Sequence, residues 1–106
     1  MNYDEDIGPI ILNSARKPHM IAGRRVPPVP DDIILHAYAH GIEVAMNAGR
    51  IPPTYIVVGP DQHGIMLYEI GYFEAPDGPD AGRLMICHAM PARLGYQARY
   101  WNAMRR

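Results

Sequence analysis

The sequence has little of several features, and each shortage excludes a class of protein. Its single cysteine, Cys87, cannot form an intrachain disulfide, and its place in an apolar run predicts a buried small hydrophobe. No apolar run approaches the ~20 residues that a membrane-spanning helix needs. The formal net charge of −1 argues against a general nucleic-acid coat protein. The acidic start, with Asp4, Glu5 and Asp6, is unsuited to a secretory signal, so we expect a cytoplasmic protein.

Acidic residues are also missing from two long segments. Residues 13–30 contain four basic side chains and no acid, and residues 81–106 contain five arginines and no acid. If the fold brings the two segments together, they form one basic patch suited to a phosphate-bearing partner. Two separate solvated faces are the alternative.

The length of 106 residues predicts one domain over 1–106, with a flexible acidic N-terminus over 1–8. Residues 23–30 are rich in proline and predict an extended loop. A helix is expected to begin near Asp31, because Pro30 and two aspartates favour a helix start. Gly41 interrupts its apolar stripe, which leaves either one weakened helix or two short helices over 31–39 and 42–48.

The second half of the chain predicts a β meander followed by a helix. β-rich runs over 54–59, 65–73 and 83–90 are separated by a hairpin turn and a longer loop over 75–82. A short strand over 10–12 would add a fourth strand. Pro91 can open a C-terminal helix over 92–104, with Leu94, Ala98 and Trp101 as its buried stripe. The expected fold is α+β, with an N-terminal helix or helices, an antiparallel sheet of three to four strands and a C-terminal helix.

Three residues in or just after the predicted strands could carry chemistry. His88 ends an apolar run and is expected to share a strand face with Ile86 and Met90, while Arg93 follows just past a proline. A titratable base beside a permanently charged guanidinium suits a phosphate-handling site. A histidine that only packs in the core, at the junction of a strand and a surface helix, is the alternative, and the pattern of His88 alone favours it. Glu69 lies in an apolar strand and is either exposed on the wet face of the sheet, which the pattern favours, or a candidate base in a groove.

His36 and His40 are four residues apart, so a continuous helix would place them on one face. Two histidines at this spacing can share a zinc ion. The glutamate that follows the first histidine in zinc-protease motifs is absent, and a pair of surface histidines is the favoured interpretation. We therefore assign no metal site.

Ordered blocks of sequence suggest a family. They are 16–19 (Arg-Lys-Pro-His), 31–38 (Asp-Asp-Ile-Ile-Leu-His-Ala-Tyr), 58–61 (Val-Gly-Pro-Asp), 67–71 (Leu-Tyr-Glu-Ile-Gly) and 88–93 (His-Ala-Met-Pro-Ala-Arg). In combination, over most of residues 14–97, they resemble the small bacterial proteins related to BrnT-type toxins of type II toxin–antitoxin modules. The segment 23–30 is an insertion relative to that pattern, and the arginine-containing run after the last strand differs.

The resemblance implies a RelE-like fold and a metal-independent endoribonuclease that uses no cofactor. In such an enzyme a base removes the proton of an RNA 2′-hydroxyl, which attacks the adjacent phosphate, and cationic side chains stabilise the charge that develops. The residues it would use for catalysis are His88, Arg93, Glu69 and His36. Those it would use to bind RNA are Arg16, Lys17, His19, Arg83, Tyr96 and Arg99.

The partners implied by the resemblance are RNA and a cognate antitoxin protein, with no membrane. The assembly would be either a homodimer or a hetero-oligomer with the antitoxin. A non-catalytic protein-binding module is the alternative function, because the net charge is near zero and the sequence contains no unmistakable catalytic base.

Overall fold

The structure is a computed structural model that describes residues 8–105. The expected flexible segment 1–8 therefore lies outside the described residues, apart from Gly8. The elements in chain order are β1 (Ile10–Ile11), a 3-10 turn (Asn13–Arg16), β2 (His19–Ile21), β3 (Arg24–Val26), α1 (Asp31–Ala39), β4 (Ile42–Asn47), β5 (Thr54–Pro60), β6 (Leu67–Glu74), β7 (Leu84–Pro91) and α2 (Leu94–Met104).

The described residues form an α+β fold built on a five-stranded sheet. The strand order is β1-β7-β6-β5-β4, in which neighbours from β4 to β7 run antiparallel and β1 runs parallel to β7. β2 and β3 form a separate two-stranded hairpin. The expected meander and the short N-terminal strand are confirmed. The expected purely antiparallel sheet of three to four strands is wrong, since the sheet is mixed and has a fifth strand. The expected N-terminal place of the helix is also wrong, because β1, β2 and β3 precede α1.

That fifth strand, β4, replaces the second helix expected over 42–48. The expected helix 31–39 is confirmed as α1, which is followed at once by β4. β4 pairs with β5 from Ile42 to Asn47 and carries a bulge between Glu43 and Ala45. Its apolar spacing suits a helix as well as a bulged strand, and pairing with β5 decides between them.

The two helices cover opposite faces of the sheet. On one face, Ile34 and Ala37 of α1 pack with Ile70 of β6, and all three are fully buried. On the other face, Tyr100 of α2 packs with Val58 of β5. Paired residues of neighbouring strands lie on the same face of a sheet, and consecutive residues of one strand lie on opposite faces. Val58 pairs with Glu69, which precedes Ile70 in β6, so Val58 and Ile70 lie on opposite faces.

The buried stripe of α2 differs from the expected one. Leu94 and Trp101 are 81% and 52% exposed, and Ala98 is also exposed, whereas Tyr100 is buried and Tyr96 is half-buried. Pro91 ends β7 rather than opening the helix, and Arg93 is the N-cap residue of α2. Tyr96 and Tyr100, four residues apart, share the helix face that meets the sheet.

The helix α1 lies unusually close to β5 at one point. A Cβ built on Gly59 would collide with the backbone carbonyl of Ala37, and one built on Gly41 would meet the same carbonyl at 2.6 Å. Glycine at these positions therefore allows the helix to approach the strand. Neither α-helix of residues 8–105 is long and apolar enough to cross a membrane.

Candidate functional site

A β-bulge at Cys87 decides which way His88 faces. His88 pairs with Gly71, but Ile86 pairs with Tyr72, so Cys87 has no partner of its own on β6. The extra residue reverses the alternation, and Ile86 enters the core beneath α1 while His88 and Met90 face α2. The expectation that His88 shares a face with Ile86 is therefore wrong.

Glu69 is buried beneath the start of α2, at 0% exposure. The expectation that favoured a solvent-exposed side chain is wrong. Its Oε1 accepts hydrogen bonds from the backbone N–H and the Nε of Arg93, each at 3.0 Å. Its Oε2 accepts from Nη2 of Arg93 at 2.9 Å and contacts Nε2 of His88 at 3.0 Å. Four donors thus satisfy a buried carboxylate, as its burial requires.

These contacts keep Glu69 ionised. Burial alone favours the neutral acid, but the hydrogen bonds from His88 and Arg93 and the positive charge of Arg93 outweigh it and lower the pKa of Glu69 to about 2. A carboxylate with this pKa and no solvent access is a poor proton acceptor. Glu69 is suited instead to holding the two side chains that contact it.

Arg93 is held by Glu69 and still faces solvent. A guanidinium has five N–H donors, and Glu69 takes the one on Nε and one on Nη2, which leaves three. The side chain is 58% exposed. Arg93 is thus fixed in orientation and retains donors for an external acceptor.

His88 is held in the same way by one nitrogen. Because Nε2 lies against an ionised carboxylate, it is the nitrogen that carries the proton, and a neutral ring then has Nδ1 as its acceptor. Among residues 8–105, no hydrogen-bond partner contacts this Nδ1. The side chain is 29% exposed, so the ring is partly open to solvent.

His19 of β2 packs edge-on against His88, with ring centroids 5.1 Å apart. Burial lowers the pKa of His19, and the neighbouring His88 lowers it further. His19 therefore brings the acid-free segment 13–30 into contact with the site.

A polar cavity of about 520 Å³ borders the assembly that Glu69 forms with His88 and Arg93, called here the Glu69 assembly. It is lined by Ser14, Asn47, Arg50, Thr54, Ile56, Cys87, His88, Arg93 and Tyr96. Cys87 is half-buried rather than buried as expected, and burial raises the pKa of its thiol. The volume falls within the roughly 300–1,000 Å³ that small-ligand sites occupy.

Tyr96 and Arg99 extend the site along α2. The guanidinium groups of Arg93 and Arg99 lie over the Tyr96 ring, 5.1 and 5.7 Å from its centroid. Nη1 of Arg99 also donates to the carbonyl oxygen of Val44 in the β4 bulge, at 3.1 Å. Tyr96 thus contacts two cations, and these contacts would compete with base stacking on its ring.

The remaining residues expected to bind RNA are exposed or form bonds elsewhere in the molecule. Arg16 forms a two-bond ion pair with Asp31, at 3.0 and 2.8 Å. Nη2 of Arg83 donates to the carbonyl oxygen of Gly8 at 2.8 Å. Lys17 is exposed. No hydrogen bond or ion pair among the described residues joins the side chains of these three to Glu69, His88 or Arg93.

His36 belongs to the other face of the sheet. Nδ1 of His36 lies 3.0 Å from the carbonyl oxygen of Pro60, and its ring lies 4.3 Å from that of His40 between centroids. As part of α1, His36 is separated by the sheet from Glu69, His88 and Arg93. Residues 8–105 contain no group of three or more His, Cys, Asp or Glu side chains placed to hold a metal ion.

Arg50 lines the cavity and was not among the residues expected from the sequence. It lies between β4 and β5, in a segment whose first part was expected to be helical. Arg50 also lies outside the two acid-free segments. Only the pairing of β4 with β5 brings this segment to the site.

Comparisons with known protein families, curated proteins and solved structures find no match for this chain.

Proposed function

We propose that this chain is a metal-independent endoribonuclease, the toxin of a bacterial toxin–antitoxin module that acts on cytoplasmic RNA. The observation that carries the proposal is the contact of one buried carboxylate, Glu69, with both His88 and Arg93 at the border of an open polar cavity. The ordered blocks of sequence that resemble BrnT-like toxins with a RelE-like fold support it.

His88 is the proton-transfer residue of the proposed reaction. With Glu69 on Nε2, its Nδ1 accepts the proton of a ribose 2′-hydroxyl. The 2′-oxygen then forms a bond to phosphorus as the bond from phosphorus to the 5′-oxygen breaks. The leaving 5′-oxygen takes a proton from water and the protonated His88 returns its proton to solvent, so that the products are a 2′,3′-cyclic phosphate and a 5′-hydroxyl.

Arg93 stabilises the negative charge that develops on the phosphate oxygens. Its three remaining N–H donors are available for this contact, and its orientation is already fixed by Glu69. Glu69 acts as a positioning residue for both partners and transfers no proton itself. His36 has no role in this mechanism, and the sequence-based assignment of Glu69 as a base is replaced.

The test is RNA cleavage by the purified full chain, with and without ribosomes and in the presence of a chelator. His88→Gln should lower the cleavage rate about 100- to 10,000-fold, the range that general acid–base catalysis supplies. His63→Gln, in the exposed turn between β5 and β6, is the matched control and should cleave normally. Intact RNA after incubation with the wild type, or full activity of His88→Gln, would refute the proposal.

A second candidate is a protein-binding module without catalysis, and one observation favours it. Ile65, Met66 and Trp101 are exposed apolar side chains that line one groove of about 250 Å³. Contiguous exposed apolar groups are typical of surfaces that bind other proteins. For this function Trp101→Ala should abolish the cellular phenotype, while His88→Ala and Arg93→Ala should preserve it.

A further inference from the structure

The cavity beside His88 is lined by hydrogen-bond donors and by no carboxylate. Glu69 contacts two of the lining residues, His88 and Arg93, and both oxygens of that carboxylate are already occupied. Two guanidinium groups, those of Arg50 and Arg93, line the same space. A pocket with two cations and no lining anion is complementary to a negatively charged ligand.

Arg50 contributes a charge that no other described residue neutralises. It is exposed, and among residues 8–105 it has neither an ion-pair partner nor a hydrogen-bond acceptor. Arg50 and Cys87 of β7 line the same cavity. The positive charge of Arg50 opposes, without outweighing, the rise in the pKa of the Cys87 thiol that burial causes. By contrast, Arg16 and Arg83 are paired with Asp31 and Asp80.

The wall around Arg50 also presents a donor. The side-chain oxygen of Asn47 accepts a hydrogen bond from the backbone N–H of Gly49 at 3.0 Å. That bond assigns the amide orientation and leaves the Asn47 NH₂ group as the free end. A ligand rich in acceptor oxygens suits such a wall better than a cation or a neutral base.

We propose that Arg50 and Arg93 bind one oxyanion between them, a phosphate ester, and that Arg50 is the substrate-positioning residue that the β4–β5 connection contributes to the cavity. The two residues come from different elements, the β4–β5 connection and the N-cap of α2. Guanidinium is suited to this task because its donors match the geometry of phosphate oxygens. The identification of the ester as the scissile phosphate of RNA rests on the proposed function, but the binding of an oxyanion does not.

The first test is titration of the full chain with inorganic phosphate, followed by NMR of the backbone amides and the arginine Nε–H groups. We expect saturable shifts at Arg50, Arg93 and the backbone amides of 47–51 and Thr54. Arg50→Gln should weaken phosphate binding about tenfold, which corresponds to the loss of one charge-assisted hydrogen bond. Arg24→Gln, an exposed arginine of β3, is the matched control and should bind phosphate as the wild type does.

The second test uses a short RNA and distinguishes a bound phosphodiester from free phosphate. A 2′-deoxy substitution at the scissile position blocks cleavage and allows binding to be measured. Arg50→Gln should weaken binding of this RNA and raise the KM for the cleavable RNA, with kcat lowered less. Arg50→Lys should restore part of the affinity, and the pH dependence of kcat should be that of the wild type.

The outcomes separate the two proposals. Phosphate binding that depends on Arg50, in a chain that leaves RNA intact, would support the oxyanion site and refute the ribonuclease. RNA cleavage with an unchanged KM in Arg50→Gln would support the ribonuclease and refute the oxyanion site. A wild type without saturable phosphate binding, or an Arg50→Gln variant that binds phosphate as well as Arg24→Gln, would overturn the oxyanion site.

Discussion

The two faces of the sheet are built from the same strands and differ sharply in chemistry. The face beneath α1 is closed by aliphatic side chains such as Ile34, Ile70 and Ile86, all fully buried. The face beneath α2 buries a carboxylate, Glu69, between an imidazole and a guanidinium and borders an open cavity. Glu69 and Ile70 are adjacent in β6, yet Glu69 belongs to a polar assembly and Ile70 to an apolar core.

The difference shows how stability and chemistry are divided between the faces. An apolar face needs only volume and close packing, and it tolerates no unpaired polar group. A face with a buried charge needs every partner in place, and those partners then have fixed positions that suit a ligand. Substitutions on the two faces should therefore have different signatures.

The largest effect is expected at the close approach of α1 to β5. Gly59→Ala would place a Cβ against the carbonyl group of Ala37, and backbone cannot move aside as a flexible side chain can. We expect a loss of at least about 4 kcal/mol in the free energy of unfolding, measured by urea denaturation. A stable Gly59→Ala variant with wild-type unfolding would contradict the described helix–strand contact.

Truncation of the apolar core comes next. Ile70→Ala should lower the free energy of unfolding by about 2–5 kcal/mol, because a fully buried side chain leaves a cavity. Ile65→Ala, at a 79% exposed position, is the control and should change it by less than about 0.5 kcal/mol. Since Ile70 faces away from the cavity, phosphate binding by folded Ile70→Ala should match that of the wild type. Loss of binding would show that the two faces are coupled.

Acid should lower the free energy of unfolding by removing the contribution of Glu69 on the polar face. The pKa of Glu69 is about 2 in the folded protein and 4.5 in the reference state, so between these values the unfolded chain binds more protons. Stability from Glu69 is therefore complete above pH 4.5 and is lost as the pH falls towards 2, by roughly 3 kcal/mol in total.

Glu69→Leu is the variant that isolates this effect. Its unfolding free energy should lack the part of the acid dependence that belongs to Glu69, while Asp31 and Asp61, whose pKa values are also lowered, contribute equally to both proteins. Urea denaturation at several pH values between 2 and 6 measures the difference. Parallel curves for wild type and variant would exclude an ion pair at Glu69.

The smallest effect is expected in α2 itself. A Cβ added at Gly95 meets nothing within 4 Å, so Gly95→Ala should stabilise the protein by about 0.5–1 kcal/mol through helix propensity alone. Thermal or urea denaturation is the measurement. A destabilised Gly95→Ala variant would mean that α2 packs more closely near its start than described. This substitution is also the matched control for Gly59→Ala.

The sequence predicted the elements whose signals are local. α1, the three strands of the meander, the short β1 and the existence of α2 followed from Pro30, alternating β-rich runs and turn residues. β4 was mistaken for a helix because Ile42, Ala45 and Met46 have helical spacing, and only the bulged pairing with β5 resolves the ambiguity. The buried stripe of α2 was assigned to the wrong side for a similar reason, since the sheet and not the helix selects Tyr100.

The sequence predicted three members of the candidate site and not their arrangement. His88, Arg93 and Glu69 were named, but the burial of Glu69 depends on donors from β7 and α2 that no local pattern reveals. The bulge at Cys87 was equally invisible, because strict alternation assumes that no residue is inserted. Arg50 was missed because its position beside the cavity depends on β4 being a strand.

The backbone of Arg93 links the polar assembly to the helix. Its N–H donates to Glu69, while its carbonyl oxygen accepts from the N–H groups of Tyr96 and Gln97 in the first turn of α2. The docking of this helix and the orientation of the Arg93 guanidinium therefore depend on the same residue. A ligand that immobilises Arg93 should slow hydrogen–deuterium exchange in the first turn of α2, which would make those amides a direct reporter of occupancy.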